Sequence, residues 1–198
     1  WAIPWIMRNS EELVVADFTQ NGSPDIAVSS TNVDRVSILP NQGSGMFGTQ
    51  ETYATDYDPG DHEDGPYLDP SGVDVTPDYI TAGEFNGDGA PDIAFTDAER
   101  VGILHNDGGG NLDLTRIYNY AEDGVGFNPL SSADGIAPPP QLSPHGDYIP
   151  ELAEDILAAD FDQDGDDDLA IASQDGPFYM WNDGGSFNAG NTLGRAMP

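Results

Sequence analysis

Carboxylates recur at alternate positions in a short loop late in the sequence. The segment 160–168 reads DFDQDGDDD, and aspartates occupy its positions 1, 3, 5 and 9: Asp160, Asp162, Asp164 and Asp168. Alternate side chains of a tight loop turn toward one centre, and glycine at position 6 permits the sharp turn. Calcium takes about six to eight oxygen ligands. The spacing therefore predicts a calcium site, in which Asp166 at position 7 can offer its backbone carbonyl.

Two further copies of this loop align with it without gaps. The segments 13–28, 80–95 and 156–171 each hold an acid followed by Phe, a glycine at one fixed place and an Asp before an apolar run. The candidate ligands of the middle loop are Glu84, Asn86, Asp88, Ala90 (by its carbonyl) and Asp92. Those of the first loop are Asp17, Thr19, Asn21, Ser23 (by its carbonyl) and Asp25.

The number of carboxylates differs between the loops, and ligand charge tunes calcium affinity. We therefore expect up to three Ca²⁺ ions, bound most tightly by loop 160–168 and least tightly by loop 17–25. Position 12 is apolar in each copy (Val28, Phe95, Ile171), whereas an EF-hand needs Glu there and flanking helices. Acidic turns without a metal are the alternative, and magnesium suits such a carboxylate-rich loop less well.

The elements around the loops read as short strands. Apolar runs rich in Val, Ile and Phe and bounded by Gly and Pro precede and follow each loop. A further apolar stretch then ends at Asn41, Asn106 or Asn182, before a glycine-rich turn and another strand-like stretch. Each repeat therefore predicts a four-stranded antiparallel meander. Repeated meanders of this length indicate an all-β protein built from β-propeller-type blades.

Spacing between the repeats sets the predicted domain bounds. Blade 1, with an N-terminal strand, covers 1–55, blade 2 covers 79–120 and blade 3 covers 155–198. An acidic insert loop covers 56–78, and a Pro- and Gly-rich insert loop covers 121–154. In a meander the calcium loop and the glycine turn share one end of the sheet, so the inserts lie at the other. We expect the inserts to carry any ligand specificity, with Tyr57 and Tyr67 as candidates for stacking on sugars.

The loop pattern D-F-N-x-D-G-x-x-D before an apolar strand, together with turns such as NQGSGMF, resembles the FG-GAP/VCBS repeat. That family includes integrin α-subunit propellers and many secreted bacterial and archaeal proteins. The resemblance implies a calcium-binding propeller repeat in which the metal stiffens the blade and does not catalyse. Closed propellers have about four to eight blades. Three repeats therefore imply a partial propeller, or one completed by a homo-oligomer or another chain.

Charge is the strongest bulk signal. The chain has 36 acidic and 5 basic residues, for a formal net charge of −31. Such a surface repels itself in dilute buffer, and molar salt screens the repulsion. The composition resembles that of proteins from halophilic or marine microbes; an acidic secreted protein whose charge is partly offset by calcium is the alternative. Binding to nucleic acid or to an anionic membrane surface is disfavoured.

The remaining motifs predict no enzyme. There is no cysteine, no apolar run of membrane-spanning length and no nucleophile elbow. His62 lies in an acidic cluster, where a solvated loop competes with a transition-metal site. The chain starts at Trp1, which suggests a processed form or an excerpt.

The predicted function is a non-enzymatic interaction, adhesion or surface-structural module, extracellular or at the cell surface, whose partner is a protein or a glycan. A carbohydrate-binding accessory domain of a secreted polysaccharide-active enzyme and a subunit of a surface layer or filament are alternatives.

Overall fold

The computed structural model describes residues 10–31, 34–55, 76–97, 100–119, 128–129, 153–173 and 177–190. Within these ranges all regular structure is β, in three antiparallel sheets. The first sheet consists of β1 (Ser10–Ala16), β2 (Asp25–Ser30), β3 (Arg35–Leu39) and β4 (Glu51–Ala54). The middle sheet consists of β5 (Tyr79–Gly83), β6 (Asp92–Thr96), β7 (Arg100–Asn106), β8 (Leu112–Asn119) and β9 (Asn128–Pro129). The last sheet consists of β10 (Ala153–Ala159), β11 (Asp168–Ser173), β12 (Phe178–Asn182) and β13 (Phe187–Gly190).

Each sheet is a meander, because neighbours in sequence are neighbours in the sheet. The predicted all-β class and the four-stranded antiparallel repeat are confirmed. The pairing register also repeats: Ala16 pairs with Asp25, Gly83 with Asp92 and Ala159 with Asp168, so each candidate loop closes a hairpin at the same point.

Two details of the predicted organisation differ from the structure. The insert 121–154 was expected to be loop alone, but it contributes β9, whose Pro129 pairs with Tyr118 at the edge of the middle sheet. Proline is tolerated on an edge strand, where its missing N–H is not needed by a further neighbour. The third repeat begins at Ala153, two residues before the predicted boundary at 155. The rest of both inserts, apart from 76–78 and 153–154, lies outside the described residues.

The sheets stack in chain order. We call the face of a sheet that points to the next sheet its trailing face, and the opposite face its leading face. One core joins the trailing face of the first sheet to the leading face of the middle sheet: Phe18, Ala27, Val36, Ile38, Ile80, Ile93, Phe95, Leu104 and Leu112. A second core joins the middle and last sheets: Phe85, Ala94, Val101, Ile103, Tyr118, Ile156, Leu169, Ile171, Phe178, Met180 and Phe187.

The first strands of the three sheets lie side by side. Ile80 N donates a hydrogen bond to a carboxylate oxygen of Glu12 at 2.9 Å, and Ala158 N donates to Thr81 Oγ1 at 3.2 Å. A Cβ on Gly83 would lie 2.8 Å from the Cβ of Ala158 and 2.6 Å from the ring of Phe85. Glycine therefore permits the close approach of the middle and last sheets, which brings their loops together at one end.

Candidate metal centre

The three loops share one backbone geometry. Position 6, predicted to turn sharply, has a positive φ in every copy: 84° at Gly22, 85° at Gly89 and 107° at Gly165. Position 4 is also left-handed, and two of its three residues are glutamines, Gln20 (50°) and Gln163 (66°). In the middle loop this residue is Gly87 (79°), but in the other two loops nothing in the sequence signals it, because glutamine rarely adopts that conformation.

The last loop brings three carboxylates together. Asp160, Asp162 and Asp168 each offer an oxygen within 4.8 Å of the other two. They are positions 1, 3 and 9 of the predicted set. Asp164, at position 5, stays outside the cluster and accepts a hydrogen bond on Oδ1 from Asp166 N at 3.0 Å. Asp166 in turn accepts from Gly184 N at 2.9 Å, which ties the loop to the glycine turn beside it.

Backbone donors hold these carboxylates in place. The Asp160 carboxylate accepts from Gln163 N at 2.6 Å and from Gly165 N at 3.2 Å. Asp168 accepts from Phe161 N on one oxygen, at 3.0 Å, and from Asn182 N on the other, at 2.8 Å. Each carboxylate oxygen has more than one lone pair, so these bonds orient the group and leave acceptor capacity toward the loop interior.

The electrostatics of the cluster favour a cation. Burial raises the pKa of Asp168, and the neighbouring charges of Asp162 and Asp164 raise it further, while its backbone donors lower it. A divalent ion would offset this concentration of negative charge. The metal-ligating atoms that the cluster offers are all carboxylate oxygens, and oxygen ligands suit a hard cation such as calcium.

The middle loop places its acids differently. The longer side chain of Glu84 folds into the loop and accepts from three backbone N–H groups, those of Asn86, Gly87 and Gly89. Asp92 is fully buried, and its pKa is raised to about 7 by burial, with the charges of Glu84 and Asp88 adding to the effect. Asp88 accepts from Asn86 Nδ2 at 3.0 Å.

Ala90 N donates to Asp88 Oδ1 at 2.8 Å. The three acids of this loop do not converge as those of the last loop do. Within the described ranges, Asp160, Asp162 and Asp168 form the single group of three potential metal-binding side chains.

The first loop is closed by its own hydrogen bonds. Thr19 Oγ1 donates to Asp25 Oδ2 at 3.0 Å, and Asn21 Nδ2 donates to Thr19 Oγ1 at 2.8 Å. The Asp17 carboxylate accepts from Asn21 N at 3.0 Å, and Ser23 N donates to Asn21 Oδ1 at 2.9 Å. Its neutral side chains thus bond to each other and to Asp25, where the last loop presents carboxylates. The predicted order of calcium affinity stays a prediction.

Sequence reasoning missed the role of the asparagine that ends the third strand of each repeat. Its backbone N–H donates to Oδ1 of the position-9 aspartate, at 2.6 Å for Asn41 and 2.8 Å for Asn106 and Asn182. In the later two repeats its side chain also crosses to the preceding sheet. The signal was present, because the asparagine recurs at one place in every repeat, but its partner lies on another sheet.

The cross-sheet bonds run from asparagine to the loop phenylalanine. Asn106 Nδ2 donates to Phe18 O at 2.8 Å, and Asn182 Nδ2 donates to Phe85 O at 3.0 Å. The last and middle loops are joined further by Asp167, whose N–H donates to Glu84 O at 3.1 Å and whose carboxylate accepts from Glu84 N at 2.8 Å. The candidate metal loops are thus part of the contacts between sheets.

Other sequence candidates are placed as follows. The loops and the glycine turns share one end of each sheet, as predicted, since Asn21 Nδ2 donates to Asn41 O at 2.9 Å. His62, Tyr57 and Tyr67 lie outside the described residues. The described part of the chain contains no helix that is long and apolar enough to cross a membrane.

No protein-family model and no curated protein matches the chain. Among solved structures, it is similar to a chain in the crystal structure of BBS1N in complex with ARL6DN, soaked with lead. The TM-score is 0.39 and the sequence identity 10%, and the match covers 95% of this chain. The chain spans 58% of the length of that matched chain.

Proposed function

We propose that this chain is a calcium-binding β-propeller-type repeat protein that acts outside the cell as a non-enzymatic interaction, adhesion or surface-structural module. The observation that carries the proposal is the convergence of Asp160, Asp162 and Asp168 within 4.8 Å in the last loop. The backbone turn of that loop recurs in two further loops at the same place in each repeat.

Calcium would act on the architecture through the contacts of the last loop. Asp168 connects the loop to the end of β12, and Asp167 connects it to the middle loop. An ion held by the neighbouring carboxylates would restrain both connections, and would offset part of the net charge of −31. The expected consequence is a stiffer contact between the last two sheets. A ligand that binds only the folded state also raises stability by mass action.

Calorimetric titration of the metal-free protein with CaCl₂ tests the proposal. We expect saturable binding to the wild type, weakened about tenfold or more in Asp162→Asn, because the cluster loses a charged ligand. Asp113→Asn is the matched control, since Asp113 is exposed on β8 and lies outside the loops. With calcium at about 100 times its Kd, folding should gain about 2.7 kcal/mol, or roughly 5–10 °C in Tm. Absence of binding and of any Tm change at millimolar calcium would overturn the proposal.

The proposed partner is a protein or a glycan at a cell surface. A glycan array probed with the calcium-loaded protein distinguishes these classes. Retention on defined glycans would favour the accessory role in polysaccharide recognition. Retention on the cell surface that survives removal of glycans would favour a protein partner.

A further inference from the structure

The two end faces of the stack carry exposed apolar side chains at positions that are buried where one sheet packs on the next. The alignment of the loop segments and the shared pairing of the asparagine with the start of the last strand give each end-face residue two counterparts in the internal interfaces. The first-to-middle and middle-to-last interfaces therefore show what each position does when a neighbouring sheet covers it.

The leading face of the first sheet is apolar and exposed. Leu13 is 62% exposed, whereas its counterparts Ile80 and Ile156 are 1% and 5% exposed. Phe47 is 44% exposed, whereas its counterparts Leu112 and Phe187 are 8% and 5% exposed. Val15, whose counterparts are Ala82 and Ala158, is also exposed. This face has the composition of an interface, and none of the three described sheets lies against it.

The trailing face of the last sheet shows the complementary pattern. Leu157, on β10, is 58% exposed, and Phe161 is only half-buried although both of its counterparts are fully buried. Phe161 packs edge-on against Tyr179, with ring centroids 6.0 Å apart, and Tyr179 stacks on Trp181 at 6.2 Å. The counterparts of Tyr179 are Ile38 and Ile103, each 1% exposed.

The polar groups of the two end faces match those of the first-to-middle interface. There Asn106 Nδ2 donates to Phe18 O at 2.8 Å, and Gln20 Nε2 donates to Gly89 O at 3.0 Å. On the trailing face of the last sheet, Phe161 and Gln163 are the counterparts of Phe18 and Gln20. On the leading face of the first sheet, Asn41 and Gly22 are the counterparts of Asn106 and Gly89. Gln163 even has the left-handed backbone of Gln20. Among its described contacts, Asn41 keeps the bond within its own sheet, to Pro24 O at 3.0 Å.

We propose that the trailing face of the last sheet packs on the leading face of the first sheet in a second copy of this chain, and that the reciprocal contact closes a ring of six sheets. Propellers have about four to eight blades, and six is the one multiple of three in that range. Heterologous contacts close into a ring when the rotation between copies permits it. The occupant is a second copy because its first sheet supplies the counterparts of the groups that cover a trailing face inside the stack. These are the apolar side chains of the leading face and Asn41, the counterpart of the donor Asn106. The proposal is independent of calcium binding.

Sedimentation velocity on the full chain tests this self-association, in about 2 M NaCl to screen the charge of both copies. The wild type should sediment at twice the chain mass of 21.1 kDa as its concentration rises. Leu13→Asp on the leading face and Leu157→Asp on the trailing face should each be monomeric. The control is Met46→Asp, since Met46 is as exposed as Leu13 but its counterpart Asn111 is exposed as well. The control should sediment as the wild type does.

Mixing the two face variants gives the sharper result. Leu13→Asp keeps an intact trailing face and Leu157→Asp an intact leading face, so an equimolar mixture should form a dimer through one wild-type contact. Circular dichroism melts confirm that each variant is folded. A wild type that stays monomeric, or that grows beyond two copies, overturns the closed ring. Dimers that persist in either single variant also overturn it, because they require a different contact.

Discussion

Replacing Asn106 with Ala should destabilise the fold more than the same change at Asn41. Asn106 is 2% exposed, and its side chain donates to Phe18 O and Pro91 O. Its Oδ1 accepts from Gly108 N at 3.1 Å and Gly110 N at 3.0 Å. The counterpart Asn41 donates to Pro24 O and accepts from Gly43 N, and it is half-buried. The two sites thus differ by the cross-sheet bond and one buried acceptor bond.

The expected costs follow from these bonds. A hydrogen bond contributes about 1 kcal/mol net, and a buried group left without a partner costs about 1–3 kcal/mol. Asn106→Ala should therefore cost about 3–5 kcal/mol, since Phe18 O and Gly110 N lose buried partners. Asn41→Ala should cost about 1–2 kcal/mol, because water can reach the groups that it leaves. Asn182→Ala, which loses three bonds including the one to Phe85 O, should fall between them.

Urea denaturation measures the free energy of unfolding of each variant at fixed salt and calcium. All three variants should be made in the Leu157→Asp background, so that self-association does not contribute to the result. Equal costs for Asn106→Ala and Asn41→Ala, within about 0.5 kcal/mol, would contradict this expectation. That result would mean that the bond between the sheets adds no stability.

Three further outcomes are expected. Gly102→Ala should cost about 1–3 kcal/mol of unfolding free energy, because a Cβ there would lie 2.0 Å from the buried ring of Phe95. Gly48→Ala should cost less, because the atom nearest to its Cβ, at 3.0 Å, belongs to the flexible Gln42 side chain. In chelator, carboxyl NMR titration should place the pKa of Asp92 near 7. Since this folded-state pKa is raised, its contribution to stability should be largest below about pH 4 and be lost as pH rises through 7; an Asp92 pKa below 5 would contradict this. The Tm should rise between about 0.1 M and 2 M NaCl because salt screens the net charge of −31, and a flat response would count against strong self-repulsion.

Much of the fold was predictable because local sequence patterns determine its strands and turns. The apolar runs around each loop have strand length, and the glycine at position 6 marks the turn, so the hairpins and the meander followed from the sequence. The convergence of Asp160, Asp162 and Asp168 followed from their spacing as well. These features depend on residues close together in the chain.

Contacts between sheets were less predictable. The position-9 aspartates looked like metal ligands alone, but Asp25, Asp92 and Asp168 are fully buried and accept backbone hydrogen bonds on both oxygens. Asn106 gave no sign that its partner was Phe18, 88 residues earlier. The strand β9 was missed for a similar reason, since a two-residue edge strand depends on its partner and not on its own pattern.

A crystal structure of the protein grown in CaCl₂ would show directly whether the last loop binds calcium. We expect an anomalous scatterer in the last loop, about 2.3–2.6 Å from carboxylate oxygens of the cluster formed by Asp160, Asp162 and Asp168. The first loop should be the last of the three to fill. A last loop that holds only water at saturating calcium, although its three carboxylates still converge, would contradict the proposed calcium site.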